Sequence, residues 1–127
     1  MGSLNMNGPY DFNDDSIEFN ITKISGGNYA LGTVDKMTNN FHVTYVGRSD
    51  SDLKDRLKQQ LIRLNDISNR FQKKNLSFKY SYAFSPKEAY EEECRNYHDF
   101  IGSKKLINNF HPEKPIDEKW ICPFCKE

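Results

Sequence analysis

Cys122-Pro-Phe-Cys125 has the spacing of a zinc knuckle, and two further candidate ligands stand upstream of it, Cys94 and His98. Four residues apart, these two share one face of any helix that carries them. Two ligands from a helix and two from the tail would complete a tetrahedral Cys3His site for a structural Zn2+, with His111, before Pro112, as the alternative fourth ligand. Beyond Ile116, Trp120, Ile121 and Phe124 the tail has few apolar residues. Burial alone cannot then offset a backbone ordering cost of ~1–2 kcal/mol per residue, whereas zinc supplies on the order of 10 kcal/mol in small zinc peptides. A second set of residues lies earlier in the chain. Gly27-Asn28-Tyr29 and Tyr45-Val46-Gly47 are two tripeptides of Gly and Tyr in mirrored order, followed by Arg56 and, much later, Glu93.

Elements that would position these residues follow from the hydrophobic pattern. Ser16 to Thr22 alternates, with Ile17, Phe19 and Ile21 against Glu18 and Asn20, and reads as a half-buried strand. After Gly26-Gly27, residues 28–35 and 41–48 read as a strand hairpin joined by the polar stretch 36–40, with Phe41, Val43 and Tyr45 on one face. At Asp52 the period changes: Leu53, Leu57, Leu61 and Leu64 recur at helical spacing, Asp52 is the candidate N-cap, and a helix near 52–66 is expected. Residues 76–84 alternate again, with Phe78, Tyr80, Tyr82 and Phe84 on one face. Ser85-Pro86-Lys87-Glu88 is a capping box with Pro at the first helical position, which opens a helix near 86–100 that Gly102 ends. The class predicted is α+β: a small, mainly antiparallel central sheet flanked by helices.

The two tripeptides, their order and their spacing resemble the GIY-YIG nuclease domain family. Gly-Asn-Tyr (27–29) resembles its first motif and Tyr-Val-Gly (45–47) its second; Asp52-Leu53-Lys54-Asp55-Arg56 resembles its Asn-Leu-x-x-Arg, and Ala89-Tyr90-Glu91-Glu92-Glu93 its Ala-x-x-x-Glu. Leu106-Ile107-Asn108 resembles the closing segment that supplies an Asn, so the likeness covers residues 26 to 110. The resemblance implies a GIY-YIG-like fold and a metal-dependent endonuclease acting on DNA. Tyr29, Tyr45, Arg56 and Glu93 would form the catalytic group, with Glu93, or Glu92 beside it, holding Mg2+ or Mn2+. Tyr29 would take the proton of the attacking water, a role that requires its pKa to be lowered, and Tyr45 would orient phosphate or water. Arg56, helped by Arg48, would stabilise the attacked phosphate, and Gln60 and Asn108 would complete substrate binding. Gln60 departs from the family, which commonly carries His or another proton-handling residue there. Gln hydrogen-bonds but moves no proton at neutral pH, so a domain that binds nucleic acid with weak or no cleavage, or a zinc-anchored protein-interaction module, stands as the alternative.

The chain has 127 residues, enough for one ordinary domain and too few for two. Hydrophobic residues are 36%, charged residues 28% and aromatics 13%, a balance that folds. The formal net charge of zero conceals a basic middle: from Gly47 to Tyr80 nine Lys or Arg stand against four Asp, a balance of 9 − 4 = +5. Such a stretch suits a nucleic-acid partner, and a domain this small leaves room for a larger assembly that supplies specificity. No apolar run approaches the roughly 18 residues of a membrane span, and no signal-peptide pattern opens the chain, so a cytoplasmic protein without a membrane partner is expected. Residues 1–15 are expected as a flexible N-terminus, of which the first five resemble an expression scar; 16–110 form the nuclease-like domain, and 111–127 a tail docked on it.

Overall fold

A computed structural model of the chain describes residues 6–66 and 76–100. Over these residues the chain is α+β, in the order β1 (Asn7–Asp11), α1 (Asp14–Asn20), β2 (Gly27–Val34), β3 (Phe41–Ser49), α2 (Leu53–Asp66), β4 (Ser77–Tyr82) and α3 (Pro86–Phe100). The four strands form one antiparallel sheet in the order β1-β4-β2-β3. Among the described residues no helix is long and apolar enough to cross a membrane.

Alternating side chains divide the sheet into two faces. On one face Tyr29, Leu31, Phe78 and Tyr80 pack with Ile17 and Ile21 of the α1 region and with Leu53 and Leu57 of α2. On the other, Ala30, Val43 and Val46 pack against Tyr97 of α3. Helices thus cover both faces, and the edge strand β3 stands between α2 and α3. A bulge in β3 matters for the site. Leu31 pairs with Tyr45 and Gly32 with Val43, so Thr44 is the extra residue, its hydroxyl donating to the Leu31 carbonyl at 3.0 Å. The shift of phase turns Tyr45 towards the α2 face, while Phe41 and Val43 stay on the α3 face. The single face expected for Phe41, Val43 and Tyr45 is thereby corrected.

Helix ends are specified as the residue types demand. Asp52 accepts from the Asp55 amide at 3.1 Å at the start of α2, and Ser85 accepts from the Glu88 amide at 3.1 Å at the start of α3. Glu88 reaches back to the amide of Phe84 at 3.1 Å, one residue earlier than the capping box predicts. Two segments differ from the sequence reading. Residues 14–20 form a helix and not a strand: Asn13 caps it by accepting from the Ser16 amide at 2.8 Å, Asp14 and Asp15 occupy its first turn, and Ile17 and Ile21 are buried one turn apart. Spacing of four satisfies both periods, and Phe19, 83% exposed, was the residue that made the pattern look like a strand. The N-terminus is also structured from residue 7, because β1 pairs with β4 and Phe12 is buried behind it. Phe84, placed on the inner face of the last strand by alternation, lies beyond β4 and is 97% exposed.

Candidate active site

Tyr29 of β2 sits in register with Gly47 of β3 on one side and Tyr80 of β4 on the other. A Cβ built on Gly47 would lie 2.5 Å from both Cζ and the hydroxyl oxygen of Tyr29. The absent side chain of the second tripeptide is therefore the space in which the tyrosine of the first one lies. Tyr45, brought to the same face by the bulge, stacks beside Tyr29 with ring centroids 6.2 Å apart and planes at 27°. From above, α2 lowers Leu53 and Leu57 into the core, which sets Arg56 and Gln60 next to the Tyr29 hydroxyl. Arg56 is exposed and Gln60 buried.

The Tyr29 side chain is fully buried, yet among the described residues its hydroxyl has no hydrogen-bond partner: Arg56 and Gln60 are near it without bonding geometry. Burial, reinforced by Tyr45, pushes its pKa well above the ordinary phenol value, and the nearby Arg56 and Gln60 offset this only in part. In the free protein Tyr29 is a neutral phenol, the opposite direction from the one a base requires.

Arg48 and Glu93 meet on the other face, at the end of β3. The α3 helix is fixed there by Asn28, whose amide nitrogen donates to the Ala89 carbonyl at 2.8 Å in a buried bond. One turn further, Glu93 Oε1 accepts from Arg48 Nη1 at 2.6 Å, with both side chains 12% exposed. Nε of the same guanidinium donates to Asp50 Oδ1 at 2.9 Å, and its Cζ lies 5.2 Å from the centre of the Tyr90 ring. Burial holds Glu93 above the usual carboxylate range; Arg48 counters this, and the charge of Arg56 also reaches the carboxylate. Arg48 itself is pushed up: burial favours its neutral form, but Glu93 and Asp50 together outweigh that.

Tyr29, Tyr45, Arg56 and Gln60 are thus one group, on the α2 side of β3, and Arg48 and Glu93 another, from the α3 side; the two approach each other at the end of this edge strand, where the charge of Arg56 reaches Glu93. Glu92, the neighbouring candidate, stands near Arg95, at 3.9 Å, while Glu93 takes the guanidinium. Comparison with family models, with curated proteins and with solved structures finds no match for this chain.

Asp50, Tyr90 and Asn28 are site residues that sequence reasoning missed. Asn28 had a signal, being the polar residue between the Gly and Tyr of the first tripeptide; Asp50 and Tyr90 become visible only through their contacts with Arg48. Asn96, fully buried one turn after Glu93, has no hydrogen-bond partner for either side-chain amide atom among the described residues. Cys94 is buried and His98 partly so, on α3 as expected. Asn108, His111, Cys122 and Cys125 lie outside the described residues. Among the described residues no three His, Cys, Asp or Glu side chains gather to hold a metal ion. Glu93 and Asp50, however, place two hard oxygen donors on one guanidinium, a spot that already accommodates positive charge. One or two carboxylates completed by water is the usual way Mg2+ is held, so the donor chemistry fits a hard divalent cation at Glu93.

Proposed function

We propose that this chain is an endonuclease of the GIY-YIG type that hydrolyses DNA phosphodiester bonds with a divalent cation, Mg2+ or Mn2+, held by Glu93. The observation that carries the reading is the Tyr29 hydroxyl: buried, without a hydrogen-bond partner among the described residues, and beside an exposed Arg56 and a buried Gln60. A buried hydroxyl left unpaired costs about 1–3 kcal/mol. With the Arg56 and Gln60 side chains moved aside to admit it, a phosphate oxygen would relieve it by accepting from Tyr29, while the Arg56 guanidinium clamps the phosphate charge. Tyr45, stacked on Tyr29, keeps the phenol in place. Tyr29 enters as a donor in its neutral form, and becomes a proton acceptor only where bound positive charge lowers its pKa. The cation, when bound, supplies charge neutralisation for the developing oxyanions.

A second reading, binding without cleavage, draws on two observations. Glu93 is already paired with Arg48, and Gln60 stands where a proton-handling residue would be. Supercoiled-plasmid nicking with and without Mg2+ or Mn2+ separates the two: metal-dependent nicks support the enzyme. Binding that weakens steeply with salt, with no nicks, supports the binding module. A protein-interaction module would show neither. We place the activity in the cytosol, in a larger assembly that supplies specificity, and assign a structural Zn2+ to Cys94, His98, Cys122 and Cys125, with His111 as the alternative ligand.

A further inference from the structure

We infer that Phe84 and Ile24 form a stacking platform for an unpaired base, which makes DNA with an unpaired nucleotide near the bound phosphate the preferred substrate. The inference rests on the reading of Tyr29 and Arg56 as the phosphate site. Both side chains stand almost wholly in solvent, Phe84 97% and Ile24 88% exposed, at the end of the sheet where β2 begins and β4 ends. The segments that carry them are tied together: the Ala83 amide donates to the Gly26 carbonyl at 3.0 Å, and the Thr22 amide donates to the Tyr82 hydroxyl at 3.1 Å. The same loop reaches the candidate site. At the start of α2 the Leu53 amide donates to the Ser25 carbonyl at 2.8 Å, and Arg56 follows three residues on. At a rise of 1.5 Å per residue those three residues span about 4.5 Å of helix axis, against ~3.4 Å between successive bases of one strand. The platform thus serves a nucleotide close to the phosphate that Arg56 holds.

Chemistry decides the occupant. Burial of large apolar side chains is a main gain of folding, yet two are left out on adjoining segments, each accompanied by an exposed cation. Lys23 precedes Ile24, its ammonium 5.1 Å from the centre of the Tyr82 ring, and Lys87 follows Phe84 by three residues. Glu88, the acid of these two stretches, accepts from the Phe84 amide at 3.1 Å. An apolar surface bordered by cations fits a flat base carried on an anionic backbone. Every base has a face that stacks on an aromatic ring, but inside a duplex that face is covered by the neighbouring bases. Extruding a base costs least where it is already unpaired.

The test measures binding of the full chain to short labelled duplexes by fluorescence anisotropy, without divalent cations so that nothing is cut. Three duplexes differ at one position: fully paired, with one unpaired base, and with an abasic spacer in place of that base. The wild-type chain should bind the duplex with the unpaired base tighter than the other two by about tenfold or more. Phe84→Ala should erase the difference, Ile24→Ser should reduce it, and Phe84→Trp should keep it. Equal affinity of the wild type for all three duplexes, or a preference that survives Phe84→Ala, would overturn the inference. Loss, in that surviving case, of sedimentation with phosphatidylserine vesicles would assign the patch to a membrane surface instead. A chain that nicks plasmid DNA but binds the three duplexes alike loses the platform and keeps the nuclease. One that never nicks but shows the Phe84-dependent preference keeps the platform and loses the enzyme; no binding to any of the three removes both.

Discussion

Tyr29→Phe removes one buried oxygen atom, and its effect on stability separates a structural tyrosine from one kept for a ligand. Where a buried hydroxyl is paired, its loss typically costs 0.5–1.5 kcal/mol, on the order of 1. Among the described residues the Tyr29 hydroxyl has no hydrogen-bond partner, and its side chain is fully buried, so its removal takes away a desolvation penalty of about 1–3 kcal/mol. A small void where the oxygen was returns part of that gain. The net expectation is a gain of about 1 kcal/mol, read as a raised urea midpoint at unchanged m-value, with DNA nicking lost in the same variant. Alkaline pH adds a signature. Since the folded pKa lies above the ordinary value of 10.0, the stability attached to this phenol is complete below pH 10. It falls as pH rises towards the folded pKa, by about 1.4 kcal/mol per unit, because the unfolded chain releases a proton that the folded chain keeps. Tyr29→Phe lacks that slope, so the difference between the two stability curves should widen above pH 10. A loss of about 1 kcal/mol at neutral pH, with parallel alkaline curves, would refute the reasoning and make the hydroxyl a paired structural group.

Gly47→Ala puts a methyl group 2.5 Å from the Tyr29 ring and hydroxyl, and a ring with no exposed surface has little room to yield. Overpacking of this kind costs about 1–3 kcal/mol, so the urea midpoint should fall accordingly and nicking with it; a wild-type midpoint would contradict the packing. For the tail, elemental analysis of protein purified without chelators should find one zinc per chain, lost in Cys122→Ser; a zinc content near zero would remove that site from the account.

Much of the fold is legible in the residues because several local rules agree. The leucines from Leu53, the Asp52 cap and the Ser85-Pro86 start each specify a helix boundary by a mechanism that tertiary packing does not override, and both helices stand where those signals put them. The first helix is not legible in the pattern because Ile17 and Ile21, four apart, fit a strand as well as a helix, and Phe19 between them is exposed. Strand β1 contains Asn7, Gly8 and Pro9, residues that argue against a strand in isolation. It forms at the edge of the sheet because β4 offers it a partner. In the site, the pairing of Tyr29 with Gly47 is implicit in two facing tripeptides. The Thr44 bulge, and with it the face on which Tyr45 lies, has no signature in the alternation of β3. Nor could the Arg48–Glu93 contact be read: two residues 45 apart meet because Asn28 ties α3 to the sheet.

The central claim is tested most directly by plasmid nicking at saturating Mn2+, comparing the wild-type chain with Glu93→Gln and Arg56→Ala prepared identically and shown to be folded by circular dichroism. Metal-dependent conversion of supercoiled to nicked DNA is expected of the wild type, abolished by Glu93→Gln and reduced by Arg56→Ala. Cleavage that persists undiminished in Glu93→Gln, or a folded wild-type chain that leaves the plasmid supercoiled with every divalent metal tried, would contradict it.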